Sequence, residues 1–152
     1  MAILGTYPGR LDPQGRIVIP QRLREPLGGT VVLARGTDGC IDVCPKHEWE
    51  ERSARAKSFS ALDENARAFR RLIFSGAQPA SIDKQGRMVL PKDLRAFAGI
   101  TDEVVLAGQD DYLELWAPEK WAPQETQGSN LIQIAQRLEK SDPSRATEKG
   151  NA

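Results

Sequence analysis

Leu11-Asp12-Pro13-Gln14-Gly15-Arg16-Ile17-Val18-Ile19-Pro20-Gln21-Arg22-Leu23-Arg24 is echoed later in the chain by Ile82-Asp83-Lys84-Gln85-Gly86-Arg87-Met88-Val89-Leu90-Pro91-Lys92-Asp93-Leu94-Arg95. Asp12, Gln14, Gly15, Arg16, Val18, Pro20, Leu23 and Arg24 recur unchanged, while Leu11/Ile82, Ile17/Met88 and Ile19/Leu90 stay apolar and Gln21/Lys92 stays polar. Agreement this dense marks an internal duplication. It continues downstream with small insertions: Val31-Val32-Leu33 beside Val104-Val105-Leu106, Cys40–Pro45 beside Tyr112–Ala117, and Trp49 opposite Trp121. The chain reads as two homologous halves.

The same elements are expected in each half. Ile17-Val18-Ile19 and Met88-Val89-Leu90 are short apolar runs after a Gly-containing turn, which predicts the return arm of a hairpin. Pro20 and Pro91 end those runs and suit the start of a helix, so Pro20–Leu27 and Pro91–Ala98, the latter closed by Gly99, read as short helices. Strands are expected over Thr30–Ala34, Cys40–Cys44, Glu103–Ala107 and Tyr112–Trp116, joined by Asp/Gly-rich turns. From Glu48 to Phe74, Leu62, Ala66, Phe69 and Ile73 recur at helical spacing, predicting one or two helices. A further amphipathic helix is expected around Leu131, Ile134, Ala135 and Leu138, and Ser141–Ala152 has the composition of a disordered tail.

Each half is about forty residues, too few for an independent core, so the halves should pack on each other. The expected fold class is α+β, mainly β: two pseudo-symmetric half-barrels packed together, with short helices and a helical linker. The expected boundaries are residues 6–48 and 77–120 for the repeats, 49–76 for the linker, and 121–152 for the C-terminal helix and tail.

Composition narrows the function. A chain of 152 residues with 39% hydrophobic content has room for a modest core and little for a large enzymatic cleft. Lys plus Arg and Asp plus Glu balance at 21 each, so any electrostatic signal must be local. Around the first motif Arg10, Arg16, Arg22 and Arg24 face only Asp12, and around the second Lys84, Arg87, Lys92 and Arg95 face Asp83 and Asp93. Thr101–Glu119, by contrast, holds Asp102, Glu103, Asp110, Asp111, Glu114 and Glu119 with no Lys or Arg. The neutral total hides a polarised molecule. The basic residues between Arg52 and Arg71 are expected to be solvated or to pair with those acidic strands. No apolar run is long enough to span a bilayer and the start lacks a charged leader, so a cytoplasmic location is expected, without membrane contact.

In Asp12-Pro13-Gln14-Gly15-Arg16 the aspartate can accept backbone N–H groups, proline presets φ, and glycine supplies a positive φ. Turn-making accounts for Asp and Gly. It does not account for an arginine at the same register twice, preceded each time by Gln-Gly. Arginine pairs bidentately with guanine and glutamine with adenine, so these side chains suit readout of base edges. Alternation puts Arg16 and Val18 on one face of the strand and Ile17 and Ile19 on the other. The DNA-binding candidates are Arg16, Arg87, Gln14, Arg10, Arg22, Arg24 and Lys84.

Other constellations are weaker. Cys40 and Cys44, four residues apart on a strand, lie about 13 Å from each other at roughly 3.3 Å per residue and cannot share an ion with His47. They read as buried apolar thiols, and no metal or cofactor is expected. Asp12 and Asp83 invite comparison with a catalytic carboxylate pair, but an arginine follows each and a capping role is simpler.

The doubled Asp-x-x-Gly-Arg-x-x-x-Pro pattern, Arg70–Ala77 ahead of its second copy, and Gly108–Trp116 together resemble the bacterial MraZ family over roughly Ile3–Trp121. A single copy would point only to the wider AbrB-like group of swapped-hairpin barrels. The resemblance implies two AbrB-like repeats and a cytoplasmic, nucleoid-associated transcriptional regulator. It would bind short direct repeats in double-stranded DNA upstream of the division and cell-wall gene cluster, and assemble into a homo-oligomeric ring. It places the DNA-contacting arginine on Arg16, with Arg87 as its counterpart. The family's usual Lys before the motif Gly is Gln14 and Gln85 here, with Lys84 a substitute in the second copy only. An AbrB-like protein-interaction module of antitoxin type is the alternative reading.

Overall fold

The computed structural model describes residues 2–142 and 144, within two compact units, one running to Pro118 and the other starting at Glu119. The described residues of the first unit form β1 (Thr6–Arg10), β2 (Arg16–Val18), α1 (Gln21–Leu27), β3 (Thr30–Arg35), β4 (Ile41–Pro45), α2 (Lys46–Ser58), α3 (Glu64–Gly76), β5 (Gln78–Ser81), β6 (Arg87–Val89), α4 (Lys92–Ala98), β7 (Glu103–Gly108) and β8 (Leu113–Trp116). The second holds the body of α5 (Pro118–Thr126), a short 3-10 turn at Gln127–Asn130 and α6 (Leu131–Ser141), on which Leu131, Ile132 and Leu138 are exposed. The expected tail falls, apart from residues 141, 142 and 144, outside the described residues.

Local signals explain most of these elements. α1 and α4 each begin one residue beyond their proline, which takes the N-cap place, and α4 stops at Gly99, whose φ of 70° is the left-handed conformation of a helix C-terminus. The basic segment splits into two helices because Asp63 caps α3, its Oδ1 accepting the N–H groups of Asn65 and Ala66 at 2.7 and 3.3 Å.

Strand pairing departs from the sequence expectation. Pairing in cis across each motif turn, as in a hairpin, is not what forms. β1 runs antiparallel to β7, β3 to β5, β2 to β6 and β4 to β8. The large sheet has the order β1-β7-β8-β4-β3-β5, and β2 and β6 make a separate two-stranded ribbon. The order is unchanged when the repeats are exchanged. Each repeat contributes a pair, β3–β4 or β7–β8, and donates one strand to the edge of the other's pair. The turn itself remains local, Asp12 N–H donating to Arg16 O at 2.8 Å and Gly15 N–H to Asp12 O at 3.0 Å. Beyond it the chain binds the opposite repeat: Leu11 N–H reaches Asp102 O at 2.8 Å and Ile19 N–H reaches Gly86 O at 2.7 Å. In a duplicated sequence either repeat offers the same edge, so an apolar pattern satisfied in cis is equally satisfied by exchange.

The result is one core drawn from both halves. Ile17, Ile19, Leu23, Leu33, Ile41 and Val43 cluster with Met88, Leu90, Leu94, Leu106, Leu113 and Leu115, all essentially shut from solvent. A shared core predicts one cooperative unfolding transition for both repeats. Leu33→Ala in the first repeat and Leu106→Ala in the second should each cost about 2–5 kcal/mol. Each should shift the urea transitions seen by tryptophan fluorescence and by far-UV circular dichroism together; separate transitions would show independent repeats.

Candidate nucleic-acid interface

The two motif turns meet because β2 pairs with β6. In that ribbon Arg16 stands opposite Val89, Ile17 opposite Met88 and Val18 opposite Arg87. Ile17 and Met88 are each 1% exposed and anchor the ribbon in the core, so alternation sends Arg16, Val18, Arg87 and Val89 to the outer face. Two arginines and two valines form a pseudo-twofold checker on that face. Val18 and Val89 are 56% and 52% exposed, and neither is among the candidates named from the sequence. A signal was present: both are Val, whereas the buried positions flanking them vary between Ile, Met and Leu.

Each aspartate makes its turn and also aims its arginine. Asp12 Oδ1 accepts the N–H groups of Gln14 and Arg16, both at 2.9 Å, and Asp12 Oδ2 accepts Arg16 Nε at 2.7 Å. Asp83 repeats the pattern with Gln85 and Arg87, its Oδ2 taking Arg87 Nε at 2.8 Å. The backbone N–H of Arg16 first, with its guanidinium and the Gln14 N–H, holds the Asp12 carboxyl below its usual range against the opposing effect of desolvation. Asp83 is held low in the same way by Arg87 and Gln85. A carboxylate that binds Nε fixes the plane of the guanidinium and leaves its Nη edge for another acceptor. Gly15 and Gly86 take φ of 77° and 80°, the left-handed conformation the turn requires. Both aspartates are thus committed to their own turns, which leaves nothing of a catalytic pair.

The remaining candidates are placed less uniformly. Gln14 and Lys84 are exposed on the two turns, and Arg22 is exposed on α1. Arg24 is half-buried, its Nε donating to Ile19 O at 2.8 Å and its guanidinium lying over Gly86 of the opposite motif. Arg10 points to the acidic second repeat, reaching Asp102 Oδ2 and Glu103 Oε1, each at 3.0 Å. These are exposed ion pairs worth little individually.

Away from the ribbon, β4 meets β8 with Asp42 directly opposite Glu114, both buried. Arg52 from α2 binds Asp42 at 2.6 Å and Glu48 at 3.0 Å and lies 4.2 Å from the Tyr112 ring centroid. Its acidic partners therefore lie in its own repeat, and the second half supplies an aromatic face. The Cys40 thiol lies 3.4 Å from Asp42 Oδ1 and 3.5 Å from Glu114 Oε2, with one hydrogen to donate between them. Cys40, Asp42 and Glu114 lie close enough together to hold a metal ion. Burial, and then the two carboxylates, push the Cys40 thiol far up. Burial likewise raises Cys44 to about 12. The network satisfies the polar groups at the seam between the repeats.

The family model described as MraZ protein, and by that description also antitoxin-like, matches residues 2–72 and again 73–142. Among curated proteins, the chain is 42% identical over 136 residues to the transcriptional regulator MraZ of Thermomicrobium roseum, covering 89% of this chain and 96% of the relative. It is 38% identical to the proteins of the same name in Clostridium acetobutylicum and Heliobacterium modesticaldum, covering 89% of this chain and 95% of each relative. Two matched repeats and near full-length coverage establish that the chain belongs to the MraZ family.

Proposed function

We propose that this protein is a sequence-specific DNA-binding transcriptional regulator that reads double-stranded DNA with the outer face of the β2–β6 ribbon. The observation that carries the reading is the pair of motif arginines, brought onto one face and each held at Nε by its own aspartate. A two-stranded ribbon fits the major groove, arginine recognises guanine bidentately, and an exposed valine suits a thymine methyl. Gln14, Arg22, Arg24 and Lys84 would supply further base or phosphate contacts. Arg10 is the weakest candidate, since its guanidinium is shared with Asp102 and Glu103.

Family membership extends the reading. The sites are short direct repeats upstream of the division and cell-wall gene cluster, and the protein acts in the cytoplasm on the nucleoid as a ring of identical subunits. A few arginines per chain bind weakly, whereas linked copies on successive DNA repeats gain effective concentration without new contacts. Exposed Phe59, Leu62, Phe69 and Leu72 on and between α2 and α3 offer apolar surface for self-association. An antitoxin-type interaction module remains the competing reading. Stoichiometric co-purification of a protein partner, with no preference for promoter DNA, would favour it.

Three outcomes follow. Arg16→Ala should lower affinity for a duplex bearing the gene's own upstream region by about tenfold or more and reduce its salt dependence. Unchanged affinity in a mobility-shift titration would remove Arg16 from the site. Size-exclusion chromatography with light scattering should give a mass that is a multiple of the monomer; a monomer would exclude the ring.

The third outcome concerns acid. Because Asp12 and Asp83 have lowered pKa values when folded, their stabilisation is present above the ordinary carboxylate pKa of about 4 and is lost as pH falls through and below it. The variant carrying Asp12→Asn and Asp83→Asn should therefore have a lower urea midpoint at pH 6 and a shallower loss on acidification than wild type. Parallel acid profiles would mean that the two carboxylates do not hold the turns.

A further inference from the structure

The two motif turns differ in the arginine that reaches each from the opposite repeat. Over Gly86 lies Arg24 from α1, so close that a Cβ there would collide with its guanidinium. That side chain is anchored, its Nε donating to Ile19 O at 2.8 Å. Over Gly15 lies its repeat counterpart, Arg95 from α4, with Nη2 3.4 Å and Cζ 3.5 Å from where a Cβ would stand. Arg95 lacks the matching anchor: its Nε is shut from solvent and has no hydrogen-bond partner.

The turns also differ in their own charge. The second carries Lys84 and Arg87, whereas the first carries Arg16 alone, with Pro13 and Gln14 in between. We propose that Arg95 is a DNA-contacting residue of the first motif, supplied by the second repeat, and that it takes a backbone phosphate beside the Gly15 turn. Leaving its resting place breaks no protein hydrogen bond and frees a buried N–H that has no acceptor there. Guanidinium is suited to holding a phosphate bidentately. With Arg95 the first turn has two cations, Arg16 and one from the opposite repeat, where the second has Lys84, Arg87 and Arg24. Strand exchange makes this possible, because it sets α4 of one repeat against the turn of the other.

The inference rests on the DNA-binding reading, and one experiment separates the two. Fluorescence anisotropy of the full-length protein is measured over a salt series on a labelled duplex carrying the gene's own upstream region, and on an unrelated duplex of equal length. Arg95→Ala should weaken promoter binding about tenfold and lower the slope of log affinity against log salt by about one. Lys57→Ala, which removes an exposed cation of α2, should leave that slope unchanged. Thermal unfolding checks the fold, and Arg95→Gln, which keeps the stem and removes the charge, is read in its place if the alanine variant unfolds. A folded Arg95 variant with wild-type affinity and slope would overturn the assignment while leaving the regulator reading intact. A wild type that does not prefer the promoter duplex would overturn both.

Discussion

Exchange of strands between the two repeats is the constraint on which the rest of this structure depends. Neither repeat closes its own sheet: β1 is completed by β7, and β5 by β3. The same exchange pairs β2 with β6, and that pairing alone sets Arg16 and Arg87 on a common face. A hairpin closed in cis would have given each repeat a solitary arginine on its own turn. Exchange also packs Ile17 against Met88 beneath the ribbon, so the surface offered to a ligand is as rigid as the core under it.

Polar groups at the seam between the halves are arranged to support this pairing. Two carboxylates directly opposite on neighbouring strands would repel if left to themselves. Asp42 is offset by Arg52, Glu114 accepts Gln109 Nε2 at 2.7 Å and Trp116 Nε1 at 3.2 Å, and the Cys40 thiol lies within reach of both. Burial pushes the Asp42 carboxyl up, with Arg52 working against that shift. A register slip of one residue in β4 or β8 would strand these groups without partners, so the network favours one alignment of the repeats.

Much of the fold was legible in the sequence because duplication doubles every weak signal. The turns, the proline-led helices and the alternation that buries Ile17 while exposing Val18 all rest on local rules and stand as read. Partner choice is a different kind of information. Val31-Val32-Leu33 fits a strand whichever neighbour it pairs with, and two similar repeats offer two equivalent neighbours. The same limit applies at the site. Arg16 and Arg87 could be singled out from repetition, but the second role of Asp12 and Asp83, holding Nε, needs the side-chain geometry. Arg24 and Arg95 sit outside the turns in sequence, and only exchange carries each to the opposite glycine. Arg10 counted as part of a basic cluster until its acidic neighbours Asp102 and Glu103 arrived from the other repeat.

The central claim is that both motif turns, joined by the β2–β6 ribbon, form a single DNA-facing surface. Backbone hydrogen–deuterium exchange of the full-length protein, with and without a duplex carrying its own upstream region, tests this most directly. The account predicts added protection at residues 12–18 and 83–89 together, with α2 and α3 protected only to the extent that self-association already protects them. DNA-dependent protection on α2 and α3 with both turns unchanged would contradict it.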